Sequence, residues 1–421
     1  MGSFRASAAL VLLLVASACA SGRRDSTDDL RWSDLDREEQ IQRTIDDYKD
    51  LSARRAQVLA RERRPVANSA LPPRHLDVDR FPTALIDRGM IVAGGPPPDG
   101  IPAIDDPKLV PASRVDWLDD REAVLALIDG SHAHAYPIRV LMWHEIVNSE
   151  IGGNPVVVTY CPLCNSGLAF DRSVDGETLD FGTSGSLYQA NLVMYDRQSE
   201  SLWTQFDGRA VVGERVGTQL RVRPVSTISW SDFRDAHPDG VVLSDDTGFD
   251  RPYGRNLYSS YESRTTPLSG YFTGDSDPTM PPYERVVGVQ RSGTSIAIRS
   301  AELAAADVLH TEIDGVPTVA WHADGMSSPL SSTEVAGGDV VGATGVFVAE
   351  HEGTTLRFRP GNGSTFVDDA TGSTWNVLGE AIAGPLTGAA LTPIHHVDTF
   401  WFSWATFRPG TDVVSPPAAD D

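Results

Sequence analysis

From residue 109 onward the chain repeats itself, and no other feature limits its possible folds as strongly. Slid by 162 positions, Ala135, Glu150, Ile151, Gly153, Pro155 and Val157 meet Ala297, Glu312, Ile313, Gly315, Pro317 and Val319. At an offset of 177, Gly176, Thr178, Leu179 and Phe181 meet Gly353, Thr355, Leu356 and Phe358. At 172, Asp196, Ser201 and Trp203 meet Asp368, Ser373 and Trp375. At 171, Gly213, Gly217, Leu220, Trp230 and Pro238 meet Gly384, Gly388, Leu391, Trp401 and Pro409. The blocks are collinear, and the changes of offset read as loop insertions and deletions. The pattern predicts two tandem homologous units, 109–260 and 285–413, joined by the turn-rich segment 261–284.

Each unit carries the same plan. In the first, a strand at Ala123–Ile128 leads to a helix over 137–148, with Pro137 suited to a first helical turn. Gly152-Gly153 then turns the chain into a strand over 155–160, and short strands follow at 167–172, 177–182, 191–196 and 201–206. Many short strands, glycine turns and one or two helices predict a β-rich α+β fold. There is no repeated βαβ pattern and no glycine-rich phosphate loop opening a helix.

The N-terminal flank reads differently. Residues 1–19 resemble an export signal: Arg5, an apolar run from Ala8 to Ala16, then Ser17-Ala18-Cys19. That run is too short to span a bilayer comfortably. Small residues before Cys19 resemble a lipobox, which predicts lipidation of Cys19 and a membrane anchor on the outer face of a bacterial membrane; plain cleavage and secretion is the alternative. Residues 20–64 form a charged segment, read as a stalk helix from about 35, and 65–108 a connector rich in proline and glycine that packs as an extended strap. The whole chain has 58 acidic against 35 basic side chains, a net charge of −23, which argues against nucleic acid as a partner. Export also predicts an oxidising compartment.

Against that background, the segment Cys161-Pro162-Leu163-Cys164-Asn165-Ser166-Gly167 holds two of only three cysteines. A thioredoxin-type motif would open a helix, where the macrodipole lowers the thiol pKa. Here a turn and the apolar Leu168-Ala169-Phe170 follow, so strand–turn–strand is expected, as in a metal-binding knuckle. A closed tetrahedral site needs four ligands. His144, on the preceding helix, and Met194 are the best additions to Cys161 and Cys164; this soft set points to copper first and zinc second. The plainer readings are a hydrogen-bonded core histidine, a core methionine and a small structural disulfide. A rival function is thiol–disulfide exchange, with Cys161 and Cys164 as catalytic thiols, Cys161 as the attacking one tuned by His144, and a redox or metal-transfer protein as partner. His132, His134, His237 and the pair His395-His396 are weaker candidates. Asp196, Arg197 and Gln205 suggest a polar network around Trp203, structural because Asp196 recurs as Asp368.

The second unit has His322-Ala323 where the first has Tyr160-Cys161, and Ala306 where the first has His144. A disulfide needed by the fold would be expected in both, which favours a site confined to the first unit. The segments Asp99–Ile104, Ala135–Ile138, Trp143–Asn148, Thr159–Gly167 and Ser201–Gln205 are similar to the prokaryotic family catalogued as domain of unknown function 3179, over about 95–412. The resemblance implies no activity; it implies only that His144 and the cysteine pair work together.

Overall fold

The computed structural model describes residues 83–416. Cys19, the charged segment 20–64 and the start of the connector lie outside the described residues. The fold is β-rich with a few short helices, as the sequence predicts.

The first half runs β1 (Ala123–Asp129), β2 (His132–Pro137), α1 (Ile138–His144), β3 (Ile146–Ile151), β4 (Asn154–Cys161) and β5 (Ser166–Asp171). It continues through β6 (Phe181–Tyr188), β7 (Asn191–Asp196), β8 (Leu202–Thr204), β9 (Arg209–Val212), β10 (Ser226–Ser229), α2 (Trp230–Ala236) and β11 (Val241–Leu243). Pairing gathers them into three layers: β10-β1-β2-β11, with only β2–β11 parallel; the meander β3-β4-β5; and the meander β6-β7-β8-β9.

The second half runs β12 (Arg285–Arg291), β13 (Thr294–Arg299), α3 (Ser300–Ala306), β14 (Val308–Ile313), β15 (Val316–Ala323), β16 (Ala343–Val348), β17 (Phe358–Pro360), β18 (Thr365–Asp368), β19 (Thr374–Asn376), β20 (Ala381–Ala383), β21 (His396–Phe400), α4 (Trp401–Phe407) and β22 (Asp412–Val413). Its sheets have the same order: β21-β12-β13-β22, again with one parallel pair at β13–β22, then β14-β15-β16 and β17-β18-β19-β20. Even a register shift recurs, between Leu202 and Trp203 in one half and between Thr374 and Trp375 in the other.

Two local expectations need correction. The helix expected to reach 148 stops at His144, because Glu145 takes a left-handed conformation with φ 58° and its N–H closes on the Leu141 carbonyl. Ile146-Val147, read as the helix tail, instead opens β3. The strand expected at Ala123–Ile128 leads not straight to the helix but into β2: Ala133, Ala135 and Pro137 are buried there with Tyr136, and the small side chains hide the period-2 signal. The helix C-terminus sits the same way in the second half, where Asp307 has φ 58°.

Large aromatic side chains fill the interior. Trp143, Trp203, Trp230, Trp321, Trp375, Trp401 and Trp404 are all essentially inaccessible. The two halves share core: Val286, Phe400, Trp401 and Trp404 pack in one apolar cluster with Trp143, Cys161, Cys164 and Trp203. Where described, the connector is mixed, with a 3-10 turn at Arg88–Met90. Ile91–Ala93 adds a strand to β6, and the following Gly94-to-Ile101 stretch lies over the β6–β7 hairpin through Gly94 N–H to Gly185 O and Asp99 N–H to Thr183 O, both 2.8 Å.

Candidate dithiol site

The cysteines sit in the loop of the β4–β5 hairpin, closed by the Cys161–Ser166 pair. Cys164 N–H donates to Cys161 O at 3.2 Å, a turn in which Pro162 presets the backbone. Asn165 takes φ 51°, a conformation asparagine tolerates, and its side chain accepts from Tyr160 Oη at 3.0 Å. Gly167 lets β5 lie against Leu125, where a Cβ would collide with the leucine methyls. Strand–turn–strand is thus what forms, and no helix follows the motif.

Both thiols are unbonded and buried. Both face one carbonyl: Ala190 O lies 3.4 Å from Cys164 Sγ and 4.0 Å from Cys161 Sγ. Ala190 belongs to the two-residue turn joining β6 to β7, where Gln189 and Ala190 have φ 52° and 58°. Such a turn normally holds asparagine and glycine. Here a fully buried alanine takes the conformation instead and directs its carbonyl at the sulfurs.

The polar surroundings differ between the two sulfurs. Asn191 Nδ2 donates to Cys164 Sγ at 3.4 Å and to Gln205 Oε1 at 2.8 Å. Gln205 is fixed by donating to Thr159 Oγ1 at 3.0 Å and to Ser166 O at 3.2 Å, and by accepting from Ser166 Oγ at 3.2 Å. Ser403 of α4 places a buried hydroxyl, which makes no hydrogen bond of its own, near enough to Cys164 to favour its thiolate. Burial raises the Cys164 thiol, but donors from Cys161, Ser403 and Asn191 outweigh it and hold it below the usual thiol range. Burial, reinforced by the neighbouring Cys164, pushes Cys161 far up. Cys164 is therefore the sulfur that ionises first. The second half reaches the loop again through Thr399 Oγ1 and Phe400 N–H, which donate to Cys164 O at 2.7 and 3.2 Å.

His144 is fully buried and turned elsewhere. Its Nδ1 meets Pro102 O at 2.7 Å and its Nε2 meets Tyr253 Oη at 2.5 Å. Burial, then the Arg251 charge, pushes its pKa down to about 3, so the ring is neutral. Neither nitrogen is free for a metal. Met194 is buried in the apolar cluster that also holds both cysteines. Among the described residues no group of three or more His, Cys, Asp and Glu side chains is placed to hold a metal ion.

Of the other candidates, His237 pairs with Glu380 at 3.2 Å. His134 and Tyr136 approach at 3.5 Å, and His396 Nδ1 meets Ile394 O at 3.1 Å. Asp196 is a turn anchor, accepting from Trp203 Nε1 at 2.9 Å. Arg197 bonds Asp105 at 2.7 Å. Gln205 belongs under the cysteines rather than to that network.

Sequence reasoning missed Ala190, Asn191, Ser403 and Glu145 as site residues. Glu145, next to His144 in the Trp143–Asn148 segment, is only 7% exposed and is held beside the loop by Tyr160 N–H donating to its carbonyl at 2.9 Å. Burial, then the Cys161 charge, raises its carboxyl well above the usual range.

Fold and site define a β-rich α+β protein with a buried vicinal dithiol in a strand–turn–strand loop. Residues 98–411 match the family described as "Protein of unknown function (DUF3179)", and the chain belongs to that family. No curated protein and no solved structure matches the chain.

Proposed function

We propose that Cys161 and Cys164 form a redox-active dithiol/disulfide pair, and that the chain is an exported, lipid-anchored thiol–disulfide protein. One observation carries this reading: two unbonded thiols lie in a tight turn with hydrogen-bond donors concentrated on one of them. A four-residue turn keeps the Cα atoms within about 7 Å, inside the reach of a disulfide. The lower-pKa Cys164 thiolate attacks a partner disulfide RS–SR′, forming Cys164–S–S–R and expelling R′S⁻. The Cys161 proton passes to R′S⁻. The Cys161 thiolate then attacks the Cys164 sulfur, closing the internal disulfide and releasing RS⁻, which is protonated by solvent. Two electrons pass to the partner. The oxidising compartment follows from the export signal and from lipidation at Cys19, both read from sequence.

The repeated strand order supports descent of both halves from one duplicated unit. The second half lacks the thiols, yet Ser403 and Thr399 from it complete the Cys164 surroundings. Its role in this reading is a cap over the dithiol of the first.

Equilibration of the anaerobically purified protein in graded thiol–disulfide buffers, followed by trapping and mass counting of thiols, tests the reading. A single two-electron transition between about −120 and −270 mV is expected, the range of dedicated thiol oxidoreductases. A pair that never forms a disulfide, or stoichiometric copper or zinc that disappears in Cys161→Ser/Cys164→Ser, overturns it.

A further inference from the structure

Beside the cysteine loop lies a cavity of about 130 Å³. Its walls come from three segments: the strap from Gly94 to Ile101, the β6–β7 hairpin, and the stretch from Tyr258 to Tyr271 that leads to the second half. Leu163, between the two cysteines, and Leu187, Leu192 and Leu268 make it mostly apolar. Glu145 also lines it. Glu145 is 7% exposed, and among the described residues no hydrogen bond to its carboxyl is found. A buried polar group without a partner costs about 1–3 kcal/mol, and a non-glycine residue in the left-handed region adds strain. An aspartate, Asp307, holds the corresponding helix end in the second half.

We propose that this cavity is a binding site for an uncharged molecule about the size of one ring, carrying an oxygen that accepts a hydrogen bond from the Glu145 carboxyl. The size follows from the volume, close to that of buried cavities that hold benzene. The lack of charge follows from the apolar walls, which would not repay the desolvation of an ion. The hydrogen-bond direction follows from Glu145 itself. Burial, then the neighbouring Cys161, raises the carboxyl well above its usual range, which favours the protonated form that presents an O–H. An amine would have to ionise it against both burial and the nearby sulfur. This site stands whether or not the dithiol is redox-active.

The test is calorimetric titration of the full chain with acetophenone, ethylbenzene and benzoate, supported by saturation-transfer NMR. Acetophenone is expected to bind at least about tenfold tighter than the other two. Glu145→Gln, which keeps a neutral donor, should retain that preference, whereas Glu145→Leu should abolish it. Leu187→Trp, which fills the cavity from its rim, should block binding even if Glu145→Leu fails to fold. Acetophenone that does not bind, that binds no better than ethylbenzene, or that binds the Leu187→Trp protein unchanged overturns the proposal. The same titrations on Cys161→Ser/Cys164→Ser should be unaltered, so an inert dithiol and an empty cavity are separate failures.

Discussion

Asn191 Nδ2 donates to Cys164 Sγ and to Gln205 Oε1 at once, at 3.4 and 2.8 Å. One amide thus couples the sulfur to the network under the hairpin, and its second bond fixes the direction of the first. A hydrogen bond to a charged group contributes about 1.5–3 kcal/mol, and one pKa unit corresponds to about 1.4 kcal/mol. Asn191→Ala is therefore expected to raise the Cys164 pKa by about one to two units. Thiolate ultraviolet absorbance followed against pH in a Cys161→Ser background measures it. An unchanged value would mean that Asn191 only fills space.

Burial also governs access to the pair. Cys164 is fully enclosed and Cys161 is 2% exposed, under Ala190 on one side and α4 on the other. Alkylation of the native protein is expected to be slow and to accelerate on unfolding. Ser403→Ala removes the hydroxyl near Cys164 that favours its thiolate without uncovering the sulfur, so it should raise the thiol pKa while leaving the opening rate unchanged. Mass-resolved labelling kinetics at several pH values separate the two effects.

Neighbouring residues give the stability opposite slopes with pH. Burial, then Arg251, depresses His144 from 6.5 to about 3, so its contribution is present above pH 6.5 and is lost as pH falls toward 3. Burial and the Cys161 charge raise Glu145 above 4.5, so its contribution is present below 4.5 and is lost as pH rises through its folded-state value. Each changes stability by up to about 1.4 kcal/mol per pH unit inside its window. Measured by urea unfolding against wild type, Glu145→Gln should gain with rising pH above 4.5. His144→Gln should gain with falling pH below 6.5. Parallel pH curves for wild type and both variants would refute this assignment.

Gly185 sets how the strap meets the hairpin. It has φ 73°, and a Cβ there would strike the Pro96 carbonyl oxygen. Flexible side chains can yield to such a clash, but this obstacle is backbone. Left-handed strain alone costs an alanine about 1–2 kcal/mol. Gly185→Ala is expected to lower stability by at least about 2 kcal/mol, with hydrogen exchange speeding up at Gly94 and Asp99, whose N–H groups donate to Gly185 and Thr183. A full loss of stability with unchanged exchange at those amides would place the damage elsewhere.

How much of this could be read from sequence depended on whether the determining contact is local. The repeat fixed strand order because Gly153/Gly315 and Trp203/Trp375 recur at turns and core positions. The cysteine hairpin was legible because Pro162, Asn165 and Gly167 carry turn signals within one loop. The end of α1 was not, since a glutamate gives no helix-stop signal; its left-handed turn is fastened by Glu145 N–H to Leu141 O and by Tyr160 N–H to Glu145 O. Ser403 was hidden for a different reason: it reaches Cys164 through α4, far along the chain, and a serine in Phe402-Ser403-Trp404 has the look of helix filler. His144 invited grouping with the cysteines by proximity in sequence, but Pro102 and Tyr253 hold its two nitrogens.

The repeat also gives a way to separate what serves the fold from what serves the site. Trp203 Nε1 donates to Asp196 at 2.9 Å, and Trp375 Nε1 donates to Asp368 at 3.0 Å. Each aspartate also caps its own turn, accepting from Ser199 N–H at 2.5 Å and from Thr371 N–H at 2.6 Å. Removing either carboxylate strands a buried indole N–H and opens a turn, at about 1–3 kcal/mol for the unsatisfied donor. Asp196→Ala and Asp368→Ala are expected to lower the unfolding midpoint by similar amounts, since the indole and turn bonds recur in both, although only Asp196 has an arginine, Arg215, nearby. Neither carboxylate touches a sulfur, so the dithiol midpoint potential should stay unchanged in both. A potential shifted by Asp196→Ala but not by Asp368→Ala would tie this turn to the thiol chemistry, and would undo its assignment as a shared structural anchor.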